Sequence, residues 1–212
     1  HTPRRQACCG ALYLHAGACR QALECARHNI DTFPPDLDVI IVNAAGCGAM
    51  LKQYGELLAD DPAYAEQARA FSARVRDVTE FLEGLPSLSP PGAVCTRVAY
   101  HDACHLAHGQ GVREAPRRLL QRIPGLELVE LAESDMCCGS AGSYNVTEPD
   151  MARRLGARKV ANIQATGAPC VAAANPGCAM QIQASMRRAG LTATVVHPVE
   201  LLDQAYGRDG RA

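Results

Sequence analysis

The chain has 212 residues, 48 % of them hydrophobic and 20 % charged, enough for one large domain or two of about 100 residues each. A formal net charge of −1 and a pI near 6.7 give no electrostatic case for nucleic acid or an anionic membrane as partner. No apolar run approaches the roughly 18 residues of a spanning helix, and no signal peptide opens the chain, which starts at His1 and so is expected to come from a longer parent.

In chain order, Cys8-Cys9-Gly10 is followed by a stretch from Ala18 to Ile30 with helical apolar spacing. Pro34-Pro35 ends it, and the apolar run from Leu37 to Asn43 predicts a buried parallel strand. That strand runs into Ala45-Gly46-Cys47-Gly48, a turn expected to open a helix from about Met50 to Leu58. Asp61-Pro62 looks like an N-cap with proline at the first helical position, heading one long helix from Ala63 to about Leu82. Residues 85–92 (LPSLSPPG) form a Pro/Ser/Gly linker between two expected domains, 1–84 and 93–212.

The second half repeats this order. A strand from Arg97 to His101 leads into His101-Asp102-Ala103-Cys104-His105, and a helix is expected from Arg113 to Arg122. A strand from Leu126 to Leu131 delivers the chain to Cys137-Cys138-Gly139, then a helix runs from Met151 to Ala165. The strand from Cys170 to Ala174 meets Asn175-Pro176-Gly177-Cys178, which starts a helix reaching Ala189. A last strand, Ala193 to Val196, leads through His197-Pro198 into a closing helix. Strands alternating with helices imply an α/β fold of two pseudo-symmetric lobes, with short parallel sheets and cysteine turns at the strand carboxyl ends.

Eleven cysteines exceed what ordinary packing needs. A disulfide framework suits small chains without a core, whereas this chain has a core, an odd cysteine count and two vicinal pairs. Metal ligation in a reducing, cytoplasmic compartment is the better reading. Adjacent cysteines can meet one centre only if the backbone bends sharply, and the following glycine permits positive φ. Cys104, Cys137, Cys138 and Cys178 then supply four thiolates, the number that iron–sulfur clusters and structural zinc both accept.

The first half repeats the spacing: Cys9 to Cys47 is 38 positions, Cys138 to Cys178 is 40. Cys8, Cys9 and Cys47 are one ligand short, because the counterpart of Cys104 falls before His1. Cys19, Cys25, Cys95 and Cys170 have no counterpart and read as packing residues. His15, His101, His105, His108 and His197 read as capping or supporting hydrogen-bond partners. Arg153, Arg154, Arg158 and Lys159 read as a solvated basic helix face, and Glu56, Asp60 and Asp61 as surface charges.

The stretches CCGALYLHAG, ARHNID, GCGAMLKQYGELL, CCGSAGSYNVTEPDMARRL and ANPGC resemble the cysteine-rich CCG family. That family includes the cysteine-rich component of heterodisulfide reductase and the iron–sulfur subunits of lactate, glycerol-3-phosphate and glycolate oxidation systems. The likeness is greatest to the C-terminal part of glycolate oxidase iron–sulfur subunits. It implies a subunit that carries a [4Fe–4S] cluster and holds no substrate itself, so whether it counts as an enzyme is left open. Electrons would pass from FAD-containing glycolate oxidase subunits toward a quinone, in the cytoplasm or at the inner face of the membrane through those partners. His15 and His197 match family positions and rank first among non-cysteine site residues.

One departure bears on the metal. Where the reductase form ends each repeat in Cys-x-x-Cys, Ala44 and Asn175 stand here. Four ligands per repeat fit a conventional [4Fe–4S] cluster or a zinc ion rather than a five-ligand cluster. The alternative function is therefore a structural zinc module that docks a partner and moves no electrons. A dithiol redox catalyst is a third reading, but it leaves Cys104 and Cys178 without a role. There is no Gly-x-Gly-x-x-Gly after a strand to hold a nicotinamide or flavin.

Overall fold

The computed structural model of the chain describes residues 2–207. Its first half runs α1 (Ala11–His15), α2 (Cys19–Thr32), β1 (Ile40–Val42), α3 (Ala45–Lys52), α4 (Tyr54–Leu57), α5 (Ala65–Arg74), β2 (Val75–Asp77) and α6 (Val78–Glu83). The second half runs β3 (Thr96–His101), α7 (Cys104–Ala107), α8 (Glu114–Gln121), β4 (Leu126–Val129), α9 (Tyr144–Thr147), α10 (Pro149–Thr166), β5 (Cys170–Ala173), α11 (Pro176–Arg188), β6 (Thr194–Val196) and α12 (Pro198–Gly207). Both sheets are parallel: β1 pairs with β2, and the second sheet has the order β4-β3-β5-β6. This is the α/β class expected from the alternation of strands and helices.

The central strand β5 is buried along its whole length, because helices cover both faces of the second sheet. On one face Val160, Ile163, Ile182 and Met186 of α10 and α11 pack over Ala99 and Val171; on the other, Leu119, Leu120, Leu201 and Leu202 pack over Val98 and Tyr100. The first half has its own core around Phe71, whose ring meets Phe33 edge-on and stacks on Tyr54 at 5.5 Å. Rings of this size bury about 150–250 Å² each, so these three supply much of the apolar burial in a half otherwise rich in alanine.

The expected single helix from Ala63 to Leu82 is corrected to α5, β2 and α6. Asp77 breaks it by capping α6: its Oδ1 accepts from Thr79 N at 2.8 Å, and Glu80 reaches back to the Asp77 amide. Val75, with no exposed surface, then pairs in register with Ile40. The Met50–Leu58 helix likewise starts earlier and breaks at Gln53 between α3 and α4. Asp61 caps no helix; it accepts from Ala63 N at 3.0 Å and pairs with Arg27 at 2.7 Å.

Residues 85–92 form neither helix nor strand, yet they are fastened to α12, where Gly92 N donates to Ala205 O and the Tyr206 hydroxyl donates to Ser89 O. The halves also meet directly. Ala45 N donates to Ala174 O at 3.1 Å, Gly46 N to Asn175 Oδ1 at 3.1 Å, and Gln110 Nε2 to Ala45 O at 3.0 Å. Asn175, one of the two departures from the Cys-x-x-Cys pattern, thus ties the halves together at the cysteine turns.

Candidate metal centre

Each vicinal cysteine pair bends as the sequence requires. Gly139 has φ +94° and Gly10 has φ +86°, and the two amides donate back to Cys137 Sγ at 3.3 Å and Cys8 Sγ at 3.5 Å. A Cβ at Gly139 would lie 2.6 Å from Ala152 O, so the turn sits directly on the backbone of α10. Cys178 and Cys47 are each the third residue of their helices, α11 and α3, at the carboxyl ends of β5 and β1. A thiolate there faces the positive end of a helix. Cys104 is the first residue of α7, after β3.

In the second half these turns bring thiols together. Cys138 and Cys178 are buried, and their sulfurs and a ring nitrogen of His101 lie within 4.8 Å of one another. Cys137 adjoins Cys138, and the thiols act on one another in sequence, Cys137 on Cys138 and Cys138 on Cys178. Donation to Cys138, with burial, raises Cys137. The Cys137 bond pulls Cys138 down, but its own donation to Cys178 and its burial push it up to about 12. Cys178, receiving from Cys138, is lowered, alone among the four cysteines of this half's turns. Asn175 Nδ2 donates to it at 3.5 Å. Cys104 is raised by burial and by the nearby Cys137. All eleven cysteines are unbridged.

Around the sulfurs, one carbonyl acts as a hub. Ser134 O accepts from His101 Nδ1 at 3.0 Å, Asp102 N at 3.1 Å and Lys159 Nζ at 3.2 Å. His101 is 1 % exposed, and burial pushes its pKa down to about 4, leaving it neutral. Lys159 is corrected from the solvated face to the interior: it has no exposed surface and also donates to Glu133 O. Its helix-mates Arg153 and Arg158 do remain outside, paired with Asp150 and Glu133. Burial works to raise Asp102, but the Arg117 fork, at 2.5 and 2.7 Å, holds it lower.

In the first half Cys9 and Cys47 form the matching pair: donation to Cys47 raises Cys9, and accepting it lowers Cys47. Cys8 adjoins Cys9 and is exposed. The buried Tyr54 hydroxyl donates to Cys9 O at 2.8 Å, while Asn29 Nδ2 donates to Cys8 O at 3.1 Å and its Oδ1 accepts from Ala7 N. Sequence reasoning missed these two holding residues; the signal was a polar residue on the apolar stripe Ala22, Ala26, Asn29, Ile30 of α2. Cys25, read as packing, lies beside the turn: its Cβ would be 3.2 Å from a Cβ at Gly10, and burial, then charge on Cys8 and Cys9, raises its pKa.

His15 turns to the boundary between the halves, its ring 5.8 Å from that of His105, rather than toward Cys9. His197 caps α12 through Nδ1, which accepts from Val199 N at 3.2 Å, and lies near Asp77 and the backbone of Asn43 and Ala174, at the head of the turns that carry Cys47 and Cys178.

The donor set of the second half fits a thiophilic metal: buried, adjoining thiols, one of them with a lowered pKa, and a nearby imidazole whose Nε2 has no hydrogen-bond partner among the described residues. The profile of the family described as "Cysteine-rich domain" matches residues 1–52 and 98–183, which contain every cysteine of both turns. The chain belongs to this family. It is 41 % identical over 210 residues to the "Probable glycolate oxidase iron-sulfur subunit" of Bacillus subtilis, covering 97 % of this chain and 47 % of that protein. With the Escherichia coli "Glycolate oxidase iron-sulfur subunit" it shares 36 % over 208 residues, 95 % of this chain and 49 % of that one. With "Lactate utilization protein A" of Shouchella clausii it shares 36 % over 202 residues, 95 % of this chain and 84 % of that protein. The chain thus spans about half the length of the glycolate oxidase subunits it matches. No helix among the described residues is long and apolar enough to cross a membrane.

Proposed function

We propose that this chain is the cysteine-rich part of the iron–sulfur subunit of a glycolate or related 2-hydroxy-acid oxidase. Its partners would be FAD-containing subunits that oxidise the acid, with electrons passing onward toward a quinone and the complex peripheral to the membrane. Two repeats, residues 1–84 and 93–212, would each hold a centre: Cys104, Cys137, Cys138 and Cys178 in the second, and Cys8, Cys9 and Cys47 in the first. The observation that carries the reading is the meeting of Cys138 and Cys178 with a buried imidazole at one point. The names borne by the relatives support the substrate class.

A [4Fe–4S] cluster bound there would take up and release one electron at a potential set by its ligands and surroundings. The chain's own residues prepare for it. Cys178 has the lowered pKa, the glycine turn leaves Cys137 and Cys138 close enough to act on one another, and Asn175 supports the Cys178 sulfur. Lys159 places a buried cation beside Cys138 and offsets part of the thiolate charge.

A second reading is structural zinc. The donors of His101, Cys138 and Cys178 lie within 4.8 Å of one another, close enough for one tetrahedral ion with metal–sulfur bonds of about 2.3 Å to draw them in. Cys104 and Cys137 lie outside that tight group, as a wider polynuclear cluster would need. Anaerobic purification followed by iron, zinc and acid-labile sulfide analysis, with EPR of the reduced protein, separates the two. Iron with matching sulfide supports electron transfer; stoichiometric zinc without iron overturns it.

A further inference from the structure

We propose that His101 is itself a metal-ligating residue of the second centre, bonding through Nε2 beside Cys138 and Cys178. This rests on the reading that those thiols hold a metal, and it adds a donor that cysteine spacing does not reveal.

The argument starts from the other ring nitrogen. Nδ1 lies 3.0 Å from the carbonyl oxygen of Ser134, which can only accept, so Nδ1 carries the proton. Nε2 therefore presents a lone pair. That atom is buried and has no hydrogen-bond partner among the described residues. With Nδ1 engaged, it is the ring nitrogen left for the two sulfurs, which lie within 4.8 Å of the imidazole donor. A ring that donates one N–H to a backbone carbonyl and keeps the other nitrogen for thiols has the arrangement of a ligating histidine.

The alternative tautomer is disfavoured by the same carbonyl. Moving the proton to Nε2 would set the Nδ1 lone pair against Ser134 O at 3.0 Å. That carbonyl is held in place by Asp102 N and Lys159 Nζ and cannot easily turn away. Metal binding removes thiol protons, and a lone pair facing bare thiolates is repelled unless a cation stands between them. Replacing a thiolate by a neutral imidazole lowers the negative charge on a centre and raises its potential, as in mixed Cys/His iron–sulfur sites.

The test uses the 212-residue chain, prepared anaerobically with and without 15N-labelled histidine, loaded with iron and sulfide or with zinc. For iron, pulsed EPR of the reduced protein is expected to show a strongly coupled nitrogen whose signal changes with the label and is lost in His101→Ala and His101→Cys. For zinc, X-ray absorption is expected to show one nitrogen near about 2.0 Å beside sulfurs near about 2.3 Å, and only sulfurs in His101→Cys. The nitrogen measurement on the unaltered chain stands even if His101→Ala fails to fold. Metal that is lost in Cys138→Ser but shows no bonded nitrogen in the unaltered chain overturns the assignment of His101 and leaves the thiol site intact. Failure of the unaltered chain to bind either metal, with its fold confirmed by circular dichroism, overturns both readings together.

Discussion

Gly139→Ala tests the turn on which the second centre is built. Positive φ alone costs an alanine about 1–2 kcal/mol. The new methyl would also lie 2.6 Å from Ala152 O, well inside ordinary contact, and the obstacle is backbone rather than a flexible side chain. Helix α10 has little room to retreat: Ala152 is 2 % exposed, and Gly156 on the next turn already packs against Ser185 of α11. Overpacking of this kind adds about 1–3 kcal/mol, for a combined cost near 3 kcal/mol. At Gly10 the φ penalty is the same, but the nearest atoms, Ala22 O and Cys25 Cβ, are at 3.2 Å, so Gly10→Ala should cost about 1–2 kcal/mol. Urea unfolding reads the difference: with a slope of about 2 kcal/mol/M, Gly139→Ala should move the midpoint by about 1.5 M and Gly10→Ala by less than about 1 M. An equal or larger shift for Gly10→Ala, with unchanged slopes, would refute the reasoning from close contact.

Lys159→Met should cost about 2–3 kcal/mol in the same assay, because Glu133 O and Ser134 O lose a buried donor; a cost below about 0.5 kcal/mol would return Lys159 to the role of a packing stem. Tyr54→Phe removes the donor to Cys9 O and the acceptor for Asn29, and should cost about 1–3 kcal/mol while making the Cys8 and Cys9 amides exchange faster by NMR. For pH dependence, burial lowers the His197 pKa below its ordinary 6.5, with Asp77 opposing. As pH falls past about 6.5 the unfolded chain takes up the proton first, so this contribution to stability is present above that pH and drains away below it. The urea midpoint should therefore decline from about pH 7.5 to about pH 5.5, and His197→Gln should make the decline shallower; an unchanged slope would remove His197 from the linkage. Cys138→Ser should abolish metal at the second centre, with metal content falling further than in Cys9→Ser, and the reverse ranking would exchange the roles of the two halves.

Much of this was legible in the residues, and what was not has local causes. The strands near Cys47, Cys104 and Cys178 could be read because each is a short apolar run ending at a turn residue. Strand β2 was hidden because Val75, Arg76 and Asp77 continue a helical pattern, although the repeat itself marks them. Thr79-Glu80-Phe81-Leu82 stands 120 positions before Val199-Glu200-Leu201-Leu202, which puts Asp77 in the place of His197 and β2 in the place of β6. Both residues cap their helices through the same pair of bonds, Asp77 with Glu80 and His197 with Glu200. Lys159 was misread because composition cannot tell which lysine on a basic helix turns inward. His101 could be placed near the site but not within it, since its ring direction depends on a carbonyl 33 positions away.

That repeat also explains why the two halves should not behave alike. The buried stripe Ala22, Ala26, Asn29, Ile30 of α2 recurs 130 positions later as Ala152, Gly156, Lys159, Val160 of α10. In both halves the third residue of the stripe reaches back to hold the segment leading to the cysteine pair, but Asn29 does so as a neutral amide and Lys159 as an ammonium. The neighbouring slot holds Cys25 in the first half and Leu155 in the second. One half therefore gathers its thiols around a neutral holding residue with an additional thiol close by. The other gathers them beside a buried cation and an imidazole lone pair. Thiolates crowded in a buried space repel one another, and the half with a nearby cation opposes that repulsion better. On the proposed reading, the same backbone plan should favour metal at Cys138 and Cys178, which are both buried, over Cys9 and Cys47, whose neighbour Cys8 is exposed.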